Sequence, residues 1–133
     1  MDVDKVVHYW TESADEDWSV TRHLFDSGAY QYALFFAHLF LEKLLKAIVV
    51  RETGNHAPRT HNLLFLAERA RLSLSPERRE VLLRVTAYNI STRYPEDIAQ
   101  ARQRYTREFT ENELQIVEET GQWLKSQLSQ KKP

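Results

Sequence analysis

The chain has 133 residues, 42% of them hydrophobic and 28% charged, with three glycines, four prolines, no cysteine and a net charge of −1. That length and apolar content supply one core and not two, so residues 1–133 read as a single domain. The missing cysteines exclude disulfides and thiolate metal sites, and the scarcity of turn residues argues against a strand-rich fold.

A first helix is expected from about Val3 or Tyr9 to Phe25, because Trp10, Ala14, Trp18, Thr21 and Phe25 keep helical spacing. Asp26-Ser27-Gly28 ends it, and so short a connection predicts an antiparallel partner. No charged-then-apolar leader precedes Trp10, so the chain reads as cytoplasmic.

The stretch AYQYALFFAHLFLEKLLKAIVV, residues 29–50, organises the rest. Its polar members Gln31, His38, Glu42 and Lys46 recur along one narrow line of a helix, leaving most of the circumference apolar. A helix of that kind must be surrounded. A membrane span is excluded by Glu42, Lys43 and Lys46, each costing about 2.5–3.5 kcal/mol near the bilayer centre.

After Val50 the stretch RETGNHAPRTHN reads as a loop, with Gly54 and Asn55 at the helix end and Pro58 disfavouring helical torsions at Ala57. Thr60 or Asn62 caps a short third helix with body LLFLAERA, stopping near Leu72. Ser75-Pro76-Glu77 starts a fourth, carrying Val81, Leu82, Val85 and Tyr88 on one face and broken at Arg93-Tyr94-Pro95. Residues 96–109 are open between a helix and a packed connection. Thr110 and Glu113 have the spacing of a capping box for a last helix that continues through Leu114, Val117, Gly121, Leu124 and Leu128. Gly121 in that seam predicts a close helix approach, and the tail SQKKP is expected to fray. The fold class is therefore all-α, an antiparallel up-and-down bundle of about five helices.

Charge is segregated along the chain. Residues 1–50 hold eight acids and four bases, residues 51–107 six acids and eleven bases, and residues 108–133 five acids and three bases. All eleven bases of the middle block are arginine, whose planar fork suits phosphate or carboxylate. They can gather around an anion, or they can pair with the acidic flanks.

Few residues suggest chemistry. His38 and Glu42 lie one turn apart, but two donors do not make a metal site; the structural reading is a hydrogen-bonded histidine near the core and a Glu42–Lys46 pair. No glycine-rich phosphate loop and no GxSxG turn occurs, and no cofactor or metal is expected. The loop after the central helix gathers Arg51, His56, Arg59 and His61. Histidine moves protons near neutral pH and arginine steadies phosphoryl charge, which are the minimal parts of a metal-independent ribonuclease.

Several of these segments resemble the HEPN domain family (higher eukaryotes and prokaryotes nucleotide-binding). Gly28, Tyr30, Glu42, Lys43, Lys46 and Ala47 match its glycine-aromatic turn and Glu-Lys helix; Thr60, His61 and Leu63 match its Thr-His-polar-Leu start; Arg93, Tyr94 and Pro95 match its Arg-Tyr-Pro element. The resemblance implies a helical bundle that forms a homodimer, often paired with a minimal nucleotidyltransferase as toxin and antitoxin. Many members are ribonucleases with an Arg-x4-6-His motif. Here Arg93 is followed at those spacings by Ile98, Ala99 and Gln100, so the resemblance favours a non-catalytic module that binds nucleotide, RNA or a partner. Arg59, His61, Arg93 and Tyr94 are its candidate binding residues. Ribonuclease action through Arg51 with His56 or His61, and a purely structural homodimer, are the alternatives.

Overall fold

The computed structural model describes residues 1–91 and 95–130. Seven helical elements appear among them: α1 (Val3–Asp26), α2 (Tyr30–Thr53), α3 (Leu63–Arg69), α4 (Pro76–Thr86), α5 (Tyr88–Ser91), α6 (Pro95–Arg104) and α7 (Arg107–Ser129). Arg93 and Tyr94, and with them most of the Arg-Tyr-Pro element, lie outside the described residues, as do residues 131–133 of the tail.

Local chemistry accounts for most boundaries. Asp2 caps α1 by accepting the Lys5 amide at 3.2 Å, which fixes the earlier of the two expected starts. Gly28 holds φ +84°, a conformation costly for any residue with a Cβ, and so allows α2 to fold back along α1. Asn62, rather than Thr60, caps α3 through the Phe65 amide, and Ser75 caps α4 through the Arg78 amide.

Two boundaries differ from the sequence reading. The fourth helix does not run unbroken toward Arg93: Ala87 interrupts it, and Tyr88 opens the short α5. The last helix starts a turn earlier than Thr110, with the Thr106 hydroxyl accepting the Phe109 amide at 3.1 Å. Thr110 and Glu113 are instead buried inside α7. Their three-residue spacing serves equally well for one inward face, and the Glu113 carboxylate is taken by Arg84 and Tyr88 rather than by a backbone amide. The open stretch 96–109 resolves as α6, the Thr106 cap and the start of α7.

The central position of α2 holds, since it touches each of the other six elements. Leu34, Leu41, Leu44 and Leu45 are fully enclosed, together with Leu63, Leu66, Leu82, Leu114 and Leu124 from its neighbours. Helix α7 crosses closely at Gly121, where a Cβ would overlap the Phe40 ring. That ring also packs on Trp18 at 4.9 Å between centroids, so α1, α2 and α7 meet at one aromatic contact.

Burial around α2 is nevertheless uneven. Its polar line faces inward: Gln31, His38, Glu42 and Lys46 are all buried. An adjacent apolar line, Tyr32, Phe35, Phe36 and Leu39, is only partly covered, with Tyr32 41% exposed. Polar groups tolerate burial when they hydrogen-bond. Three of these four do, and a loop docks over them.

The middle arginines follow the pairing reading more than the gathering one. Arg51 meets Asp4 at 3.7 Å, Arg78 meets Glu119 at 3.0 Å and Arg84 meets Glu113 at 2.6 Å, each joining the basic block to an acidic flank. Arg71 pairs with Glu52 at 3.4 Å. Arg59, Arg79, Arg102 and Arg104 have no hydrogen-bond or ion-pair partner among the described residues.

Candidate functional site

The polar line of α2 becomes a site because the loop after Gly54 returns across it. Glu42, 4% exposed, accepts the Lys46 ammonium on one oxygen at 3.0 Å and the His61 Nδ1–H on the other at 2.7 Å. Lys46 also lies over the Trp10 ring, 5.3 Å from its centroid, which shelters the cation from α1. His38, one turn before Glu42, donates Nε2–H to the His61 carbonyl at 2.9 Å. His61 is thus held twice, by its backbone and by its ring.

These bonds fix protonation. A carboxylate on Nδ1 demands the Nδ1–H form of His61, so its Nε2 is left as the outward nitrogen of a ring whose side chain is 51% exposed. His38 is opposite in kind. Burial lowers its pKa against the raising effects of the His61 carbonyl and Glu42, keeping it neutral; with Nε2–H donating, its Nδ1 is buried without a partner. His38 is therefore a fixture, while the Nε2 of His61 has no hydrogen-bond partner among the described residues.

The other sequence candidates separate around this centre. Arg51 ends α2 beside Asp4 and borders a groove of about 880 Å³ with Arg71, where both cations already face carboxylates. His56 and Arg59 are exposed on the docked loop, with no side-chain partner among the described residues. The string Arg51 to His56 is divided by the α2 end at Gly54, so its members face different surroundings. His61 sits on Glu42, and Arg93 and Tyr94 lie outside the described residues. No group of three or more potential ligand side chains suited to a metal occurs among the described residues. No described helix is long and apolar enough to cross a membrane.

The Glu42–His61 pair is what sequence reasoning missed. Glu42 is satisfied by Lys46 four residues on, so nothing local signals a second partner 19 positions away. The available hint was a polar line on a helix that must be surrounded, which needs something polar to cover it.

An α-helical bundle built round one enclosed helix, with a Thr-His loop locked on its glutamate, defines the class. The chain belongs to the HEPN domain family, whose model matches residues 7–127, nearly the whole length. That membership supports a nucleotide- or RNA-related module in general. No curated protein and no solved structure matches the chain.

Proposed function

We propose that the protein is a non-catalytic nucleotide- or RNA-binding module that acts as a homodimer beside a minimal nucleotidyltransferase, in a toxin–antitoxin type of pair. The observation that carries the binding reading is the docked loop: Arg59 and His56 stand exposed, without partners among the described residues, on the same segment as His61, which Glu42 and His38 anchor. Phosphate contacts need positive or donor groups held in place and not already neutralised. Titrating a short RNA at several salt concentrations tests this. Binding should weaken steeply with salt, and Arg59→Gln should lower affinity and flatten the slope by about one unit of log–log dependence. An affinity unchanged by that substitution refutes the loop's part.

The pairing with a nucleotidyltransferase is tested by co-purification with the product of an adjacent reading frame. For the homodimer, the partly covered stripe of Tyr32, Phe35, Phe36 and Leu39 is the favoured face. A Phe36→Glu chain that sediments like the wild type removes that face from the proposal.

One observation favours the ribonuclease alternative. A histidine held by a carboxylate through Nδ1 and open at Nε2 is arranged to accept the proton of a ribose 2′-hydroxyl, with Arg59 available for phosphoryl charge. RNA cleavage that survives both His61→Ala and Glu42→Gln rejects that role for the pair.

A further inference from the structure

Tyr9 is 62% exposed, the most open large apolar side chain among the described residues. A single exposed aromatic needs no explanation, but this one does not stand alone. Its ring meets Trp10 at 5.3 Å between centroids with the planes 70° apart, so each ring keeps at least one face clear of the other. One turn further along α1, the Ser13 hydroxyl accepts the Lys43 ammonium at 2.7 Å, which places Tyr9 on the flank of α1 that turns toward the polar line of α2. The opposite flank, with His8 and Thr11, borders the groove beside Arg51.

The docked loop reaches the same place from the other side of Lys46. That ammonium lies over the Trp10 ring and bonds Glu42, which in turn holds the His61 ring. Ala57 of the loop and Trp10 also pack against one small apolar cluster, formed by Val7, Ala47 and Val50. The exposed rings therefore border the segment that carries His56 and Arg59, whose side chains have no partner among the described residues.

Uncommitted donors beside an open aromatic face match the two halves of single-stranded RNA: backbone phosphates accept from the donors, and an unpaired base covers the ring. A duplex offers only the first half, since its bases are stacked on one another. We propose that Tyr9, backed by Trp10, is a stacking platform for an unpaired base of single-stranded RNA whose backbone is held by Arg59 and His56 of the docked loop. Platform and loop serve one ligand, so the platform rests on the RNA-binding reading of that loop and narrows its ligand to a strand with a free base. Stacking accepts any base, because each has a π face, and it releases no counterions.

Fluorescence anisotropy with the full chain tests the platform, using a short labelled single-stranded RNA and an abasic strand of the same length and charge, each over a salt series. Tyr9→Ala should weaken the single strand about tenfold with the salt slope unchanged, while Tyr9→Phe should bind like the wild type. The abasic strand should bind wild type and Tyr9→Ala equally. Single-strand affinity unchanged in Tyr9→Ala, a loss shared by Tyr9→Phe, or an equal loss for the abasic strand overturns the platform. If Arg59→Gln still flattens the salt slope, the loop reading survives that failure. If Tyr9→Ala weakens the single strand while Arg59→Gln changes nothing, the platform stands and the loop's part falls. Unchanged RNA affinity with slower sedimentation of Tyr9→Ala overturns the platform and assigns the ring to a second copy of the chain. No saturable binding of the single strand at low salt overturns both readings.

Discussion

Glu42 and Glu113 are both almost wholly buried on long helices, yet they are put to different uses. Glu113 is closed on every side: Arg84 donates Nε–H at 2.6 Å and a second N–H at 3.0 Å, and the Tyr88 hydroxyl donates at 2.6 Å. The bond to Glu113 raises the Arg84 pKa, and burial, reinforced by Glu113, raises that of Tyr88. None of these partners changes charge near neutrality, so the clasp only ties α4 and α5 to α7. Glu42 holds a lysine and a half-exposed histidine, and one nitrogen of that histidine faces out. A buried carboxylate is therefore a fastener when its partners are spent on it, and a mount when one partner keeps a side open.

The largest effect should come from opening the fastener. Arg84→Ala leaves the Glu113 charge enclosed with only the Tyr88 hydroxyl, and should cost about 3 kcal/mol in urea denaturation. A loss under about 1 kcal/mol would mean water replaces the guanidinium and the clasp is not closed. Glu42→Gln should cost less, about 2 kcal/mol, because Lys46 keeps its place over Trp10 and His61 can turn to solvent. Equal losses at the two sites would erase the distinction.

The two regions should also fail at opposite ends of the pH scale. His38 has a folded pKa below its ordinary value, so the unfolded chain takes up a proton first as pH falls. Stability should thus decline below about pH 6.5, with a limiting slope of about 1.4 kcal/mol per pH unit, and His38→Gln should flatten the decline. Tyr88 has a raised folded pKa, so the unfolded chain loses its proton first as pH climbs past the ordinary phenol value; stability falls there, and Tyr88→Phe should remove that loss. Denaturation midpoints followed from acid to alkaline pH, in both variants, separate the two. An acid decline unchanged in His38→Gln would place its origin elsewhere.

The sequence made the enclosed helix legible because α2 is apolar over most of its circumference, and the cap at Ser75 because its chemistry is local; for α3 it left Thr60 and Asn62 open, and the structure chooses Asn62. It misled at Thr110 and Glu113, where a real spacing served an inward face instead of a helix start. It placed a hydrogen-bonded His38 near the core and paired Glu42 with Lys46, as found, but could not show what would cover that line. The cover is His61, brought over by the loop from 19 residues beyond Glu42. The arginine block was visible as composition, but its use was not: Arg51, Arg78 and Arg84 find acids from distant segments, which no local pattern announces.

The smallest expected effect probes the mount most directly. His61→Ala removes the ring bond to Glu42 but keeps the backbone carbonyl that His38 uses, so the loop retains one anchor. With a ring 51% exposed, the loss should be about 1 kcal/mol, well under that for Arg84→Ala. A double-mutant cycle with Glu42→Gln isolates the contact, and a coupling of about 0.5 kcal/mol or more is expected for two groups in direct hydrogen bond. Coupling near zero would mean that His61 rests beside Glu42 without being held by it. The outward nitrogen would then have no fixed direction, and the contrast with the closed clasp at Glu113 would vanish.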